Sequence, residues 1–283
     1  MTRLRLAPCL AAFVTVAEIA GAQPSGPATS TRASGAPFIE QMTWMEIRDA
    51  IAAGKTTVII PIGGTEQNGP HMVLGKHNYI VTFGARLMAE RLGTALVAPT
   101  IQYVPEGNYN SPRFGDKPGV ISNPAASYVA LLDAAVRSLR VHGFTDIILI
   151  GDSGGNQSGM RAVADSLNRE WKGVPSRVYA VTDYYQKGRT DLRAWLLSEF
   201  GYDDATVGSH AGISDTSQLL YILASGIRPE KIKPGGGSPD SGVNGDPTKA
   251  TAEIGRRAID FKVNAGIAQF RTMKASPAGG AFE

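Results

Sequence analysis

The side chains best suited to chemistry gather in one stretch, Val58 to His77 (V-I-I-P-I-G-G-T-E-Q-N-G-P-H-M-V-L-G-K-H). Glu66, Asn68, His71 and His77 all fall there, so two of the chain's 4 histidines sit close to a carboxylate. Carboxylates and imidazoles in one loop suit proton transfer or a divalent cation, because both groups offer lone pairs near neutral pH. Two later stretches carry similar residue types. Asp146 to Asn156 (D-I-I-L-I-G-D-S-G-G-N) places Asp152, Ser153 and Asn156 in a glycine turn, and Gly208 to Ser217 (G-S-H-A-G-I-S-D-T-S) carries His210 and Asp215. The glycine turn could cradle an anion with its backbone N–H groups. It matches neither G-x-G-x-x-G, nor a phosphate loop with its lysine, nor G-x-S-x-G. A triad of Ser153, His210 and Asp152 or Asp215 can be drawn, and so can acid/base chemistry by His210, His77 and Glu66.

Residues of this kind need a rigid frame. The β-branched run Val58–Ile62 reads as a buried strand ended by Gly63 and Gly64, and helical sequence resumes at about Tyr79 and runs to Gly93. That reading leaves Glu66 through His77 in a single loop. Upstream, Thr43 and Glu46 form a helix-start signature, with Gly54 past the last turn. Downstream, Ala95–Pro99, Ile147–Ile150 and Val178–Val181 read as strands, and Ser127–Val141, Gln157–Arg169 and Gln218–Ala224 as helices. His142 falls at a helix end, where an imidazolium suits the dipole. A last helix is expected from Asp246-Pro247-Thr248, and Tyr103–Ser122 is too rich in Gly, Pro and Asn for regular structure. Strands alternating with helices imply an α/β domain, whose ligands bind beyond the carboxyl ends of the strands.

A chain of 283 residues, 43% hydrophobic and 19% charged, can bury one large core. Formal net charge is +3 without a basic helix face, which offers nothing to nucleic acid. At the N-terminus, Arg3 and Arg5 precede an apolar run, Leu10–Val16, and Ala20-Gly21-Ala22 has the small-x-small form of a signal-peptidase site. The run is too short for a membrane anchor, and Glu18 interrupts it. Residues 1–22 are therefore expected to be a cleaved signal peptide, 23–37 a flexible leader and 38–283 the folded domain of a periplasmic or secreted protein, with no membrane contact after cleavage. The single cysteine, Cys9, lies in the signal, so the mature chain has no thiol or disulfide chemistry.

Four stretches in one order resemble the creatininase (creatinine amidohydrolase) family: P-I-G-G-T-E-Q-N-G-P-H-M-V-L-G-K-H, the P-G-V-I-S at Pro118, G-D-S-G-G-N and H-A-G-I-S-D-T-S. The tail G-V-N-G-D-P-T-K-A-T-A-E-I-G is also similar to the family's closing segment. The resemblance implies a single three-layer α/β/α domain with a mostly parallel sheet, assembly as a homo-oligomer, commonly a hexamer, and hydrolysis of C–N bonds in small cyclic amides by two divalent metals. Departures fall on the ligands. Asn68 stands where the family motif has a histidine, His77 where it has the bridging aspartate, Ser153 where it has another histidine, and Asp215 where it has a glutamate. An imidazole cannot bridge two cations, and Asn or Ser offers only a neutral oxygen.

The resemblance, so altered, implies one ion (Zn, Mn or Fe) or none, held by Glu66, His77 and Asp215 with Asp152 or Ser153 as an optional further ligand. His210 and Glu66 are the expected catalytic groups, and Asn68, His71, Asn156 and Tyr109 the expected substrate contacts. Two alternatives stay open: a metal-free acid/base enzyme for a lactone or sugar-like substrate, and a non-catalytic descendant that binds a small molecule. Substrate choice would lie in Tyr103–Phe114 and Tyr184–Trp195.

Overall fold

The run of β-branched residues at Thr57–Ile62 forms strand β1, buried at every position. In the computed structural model, which describes residues 36–276, it pairs in parallel with Ala95–Val97 (β2) on one side and Asp146–Gly151 (β3) on the other. Arg177–Ala180 (β4) extends the sheet beyond β3, giving the order β2-β1-β3-β4 with every neighbour parallel. The expected signal peptide, all but the end of the expected leader, and residues 277–283 lie outside the described residues.

Helices connect and cover the strands: Trp44–Ala52 (α1), Lys76–Leu92 (α2), Ala125–Val141 (α3), Gln157–Glu170 (α4), Gln186–Phe200 (α5), Asp204–Val207 (α6), Ile213–Ile222 (α7) and Ala252–Ala275 (α8). Successive strand side chains point to opposite faces. Val58, Ile60, Ile147 and Leu149 meet Tyr128 and Leu132 of α3 and Met160 and Leu167 of α4. Ile59, Ile148 and Ile150 meet Ile80 and Met88 of α2 and Ile259 and Val263 of α8. The result is a three-layer α/β/α domain. Each fully buried aliphatic side chain contributes about 1.5–3 kcal/mol, so two dry faces hold the sheet's carboxyl rim rigid.

Local chemistry explains where the boundaries fall. Thr43 and Glu46 make the expected reciprocal capping box on α1. Helix α2 starts at Lys76 rather than near Tyr79, capped only by the Gly75 backbone. Lys76 and His77 therefore occupy its first turn and are not loop residues. Asp215 likewise lies in the first turn of α7. Pro247 opens only a short 3-10 turn capped by Asp246. The final helix begins afresh at Ala252, where the Thr251 side chain accepts from Ile254 N. The 103–122 segment holds one 3-10 turn, Pro112–Asp116, and is tied to the rim by the bridge Thr65–Ile121. Among the described residues no helix is long and apolar enough to cross a membrane.

Candidate active site

Four elements deliver charged side chains to the carboxyl end of the sheet. β3 ends at Gly151 and releases Asp152 and Ser153; α2 supplies Lys76 and His77; α7 supplies Asp215; and α8 supplies Lys262. After β1 the chain turns at Gly63 and Gly64 toward Glu66. A Cβ on Gly64 would fall 2.0 Å from Glu106 Oε1, and one on Gly155 2.3 Å from the Pro105 carbonyl oxygen. These two glycines let the long loop lay Glu106 against the rim. Ala211, at φ 51, makes the turn that aims its N–H at Asp215 Oδ2, 2.8 Å away.

The side chains form a continuous network. Lys76 Nζ lies 2.5 Å from Asp215 Oδ2 and 3.3 Å from Glu66 Oε1. His77 places Nε2 2.7 Å from Glu66 Oε1 and Nδ1 2.7 Å from Asp152 Oδ2. Lys262 Nζ donates to Asp152 Oδ1 at 2.6 Å. Glu66, His77, Asp215 and His210 line one cavity of about 220 Å³, with Ser153 and Tyr185 on its wall. A second cavity of about 290 Å³ shares Tyr185, Arg189, His210 and Asp215 with the first, so the two adjoin.

Electrostatics divides the carboxylates. Burial opposes ionisation of Glu66, yet the hydrogen bond from His77 and the charges of Lys76, His77 and His210 hold it down at about 2. Burial likewise opposes Asp215 and Asp152, but Lys76 keeps the first well below the usual carboxylate range, and Lys262 with His77 lowers the second. Burial and the Lys76 charge disfavour a protonated His77, yet its bonds to Asp152 and Glu66 raise it to about 9. Burial lowers Lys76 but the charges of Asp215 and Glu66 more than offset this, and its net shift is upward. Glu106 behaves differently. Burial and the neighbouring Glu66 charge push it up to about 7. Its Oε1 is buried with no hydrogen-bond partner, while its Oε2 accepts from Ser153 Oγ at 3.3 Å.

Glu66, His77, His210 and Asp215 thus converge, as the sequence reading required. Others do not serve as expected. Asn68 is fully buried and donates to the carbonyls of Glu66, Val73 and Leu74, bracing its own loop. His71 is fully buried against Thr216 Oγ1 at 2.9 Å. Asn156, equally buried, caps the turn through Ser153 N and donates to the Gly63 carbonyl, tying β1 to β3. None of these three lines either cavity. Tyr109 is exposed and packs edge-on with Phe114, away from both cavities. Ser153 pairs with Glu106, so the drawn triad lacks its histidine: His210 instead sets Nε2 2.8 Å from the Gln67 carbonyl oxygen and Nδ1 3.6 Å from Glu66 Oε1. Burial and the Lys76 charge keep His210 below its ordinary value. Glu106, Lys76 and Lys262 were not singled out in the sequence. P-E-G in the long loop was the one local signal for Glu106, and nothing local marks the lysines.

Among the described residues, Glu66, His77 and Glu106 form the one group whose ligand atoms lie within 4.8 Å of one another. Glu106, not Asp215, is the third member. The group does not fit a cation as it stands. Both nitrogens of His77 face carboxylate oxygens, which only accept, so both carry hydrogens and no lone pair remains. Asp152 and Asp215 are held by lysines.

A parallel sheet between two helical layers, with carboxylates and the imidazoles of His77 and His210 beyond its strand ends, is an α/β/α fold carrying acid/base groups where such folds bind ligands. The chain belongs to the creatininase family, described as creatinine amidohydrolase, which it matches over residues 40–270. It is 26% identical over 187 residues to creatinine amidohydrolase of Pseudomonas putida, covering 65% of this chain and 71% of that protein. It is 28% identical over 234 residues to the mycofactocin precursor peptide peptidase of Mycobacterium tuberculosis, covering 74% and 82%. A creatininase crystal structure superposes with a TM-score of 0.68 at 22% identity, over 86% of this chain and all of that one. Similar structures include creatininase in a Zn–Zn form and in a Mn form, with the same TM-score.

Proposed function

We propose that the chain hydrolyses the C–N bond of a small peptide-like or cyclic amide, with Ser153 as nucleophile and Glu106 as the group that carries its proton. What carries this reading is the carboxylate pair: Glu66 held at about 2 and Glu106 pushed up to about 7 beside the Ser153 hydroxyl. Ser153 Oγ attacks the amide carbon while Glu106 Oε2 takes the hydroxyl proton. Lys76, His77 and Lys262 line the same cavity and favour the oxyanion that forms. The C–N bond then breaks as protonated Glu106 returns the proton to the leaving nitrogen. Water, deprotonated by Glu106, attacks the ester carbon; the C–Oγ bond breaks as Glu106 passes that proton to Ser153 Oγ, restoring both residues. His210, neutral near pH 7, offers Nδ1 as a further proton acceptor at the rim. The adjoining cavity and its Arg189, stacked on Tyr185 at 5.1 Å, give room and charge for the rest of a carboxylate-bearing substrate. A peptide-like substrate gains support from the peptidase relatives.

The test is amine release from a panel of cyclic amides and short peptides, with intact-mass detection of an acyl adduct. Glu106→Gln should lower kcat by about 10²–10⁴-fold, and Ser153→Ala should abolish the adduct. A Ser153→Ala enzyme with the unchanged rate would overturn the reading. We further propose that the protein is exported to the periplasm or medium and works as a homo-oligomer. A secreted chain starting at Gln23, eluting as a multimer by light scattering, supports this; a chain retaining Met1 in the cytoplasm refutes it.

A further inference from the structure

The positive charge at the rim comes from the protein's own side chains. Lys76 is 1% exposed and places one ammonium between Asp215 and Glu66. Lys262, reaching across from α8, places another on Asp152 and lies 5.8 Å from the Tyr184 ring centroid. His77 bridges Glu66 and Asp152 and donates to both. Three cationic groups therefore match these three carboxylates one to one, leaving Glu106, among the described residues, as the one neighbouring carboxyl without an ion pair.

We infer that this centre operates without a divalent metal, because Lys76, Lys262 and His77 supply the positive charge that Zn or Mn supplies in the creatininase structures. A dication placed here would sit beside cations already at contact distance of the ligand oxygens. To bind the carboxylates it would have to displace two buried lysines, each of which would lose its counter-charge. It would also have to strip a proton from His77. The two lysines hold the acids a cation would otherwise use, Lys76 on Asp215 and Lys262 on Asp152. Conclusions about Ser153 and Glu106 are separate, since this inference is read from metal content and melting temperature and not from turnover.

The mature chain, produced in medium supplemented with Zn and Mn and purified without chelator, should carry less than about 0.1 equivalent of either ion by mass spectrometry of the elements. Its Tm should not move with ZnCl₂, MnCl₂ or EDTA, whereas a site filled at about a hundred times its Kd shifts Tm upward by several degrees. Lys76→Ala, which leaves Asp215 without its lysine and Glu66 paired with His77, should gain a Zn-dependent rise in Tm. If that variant does not fold, the Lys262→Ala chain serves the same comparison at Asp152. Close to one equivalent of metal retained by the unmodified protein through gel filtration, with a Tm lowered by EDTA, would overturn the inference.

Discussion

Two neighbouring parts of the site are built on opposite terms. Along the rim from Asp215 through Lys76, Glu66 and His77 to Asp152 and Lys262, every charge touches an opposite one at 2.5–3.3 Å. Against it, with a carboxyl oxygen within 4.8 Å of Glu66 and His77, Glu106 keeps one buried oxygen unpartnered and borders an ionised carboxylate. Mutual pairing drives Glu66, Asp152, Asp215, Lys76 and His77 away from neutral-pH titration, so that side holds shape and field. Burial and the neighbouring Glu66 charge, outweighing the pull of His77 and Lys76, leave Glu106 at about 7, the condition for carrying a proton at that pH. A cleft of this kind separates framework from chemistry by charge compensation alone.

The largest test of the contrast is Lys262→Met. Breaking this buried pair leaves Asp152 with His77 as its remaining cationic partner and should cost about 3–5 kcal/mol in urea unfolding. Glu106→Gln should act in the other direction. It removes a carboxylate that folding forces to ionise beside Glu66, so the urea midpoint at pH 8 should rise, while at pH 4 it should hardly change.

The pH dependence of stability separates the sides again. A histidine raised from 6.5 to about 9 contributes stability that is full below pH 6.5 and is lost as pH rises through 9; Glu106, raised from 4.5 to about 7, contributes below pH 4.5 and is lost as pH rises through 7. Glu66, lowered to about 2, contributes above pH 4.5 and is lost as pH falls through 2. Unfolding curves from pH 4 to 10 should therefore decline from 4.5 to about 7 and from 6.5 to about 9, and Glu106→Gln should remove only the first. The smallest effect is expected at Tyr109, exposed and outside both cavities: Tyr109→Ala should leave kcat within about twofold.

How much of this was written locally differs between frame and site. Strands β1 and β3 declare themselves because a parallel strand buried on both faces must be a continuous apolar run, and T-V-I-I-P-I and D-I-I-L-I-G are such runs. Thr43 and Glu46 announce α1 for an equally local reason. The start of α2 has no such mark: Gly75 caps it without a side chain, which hid the fact that Lys76 and His77 share a helical turn. Lys262 meets Asp152 across 110 residues of chain, a pairing that only the packing of α8 on the sheet creates. Asn68, His71 and Asn156 look like ligands because they are polar residues in glycine loops, but their partners are backbone groups and a threonine hydroxyl. Local residue type reveals which side chains could do chemistry; the charges that surround them decide which ones do.

The central claim, that one carboxyl in this cleft escapes compensation, is tested most directly by titrating the mature protein with ¹³C-labelled glutamate carboxyls, the Glu106 signal being assigned by its loss in Glu106→Gln. A carboxyl titrating near pH 7 is the predicted result. Titration of that carboxyl near its ordinary 4.5 would contradict the account.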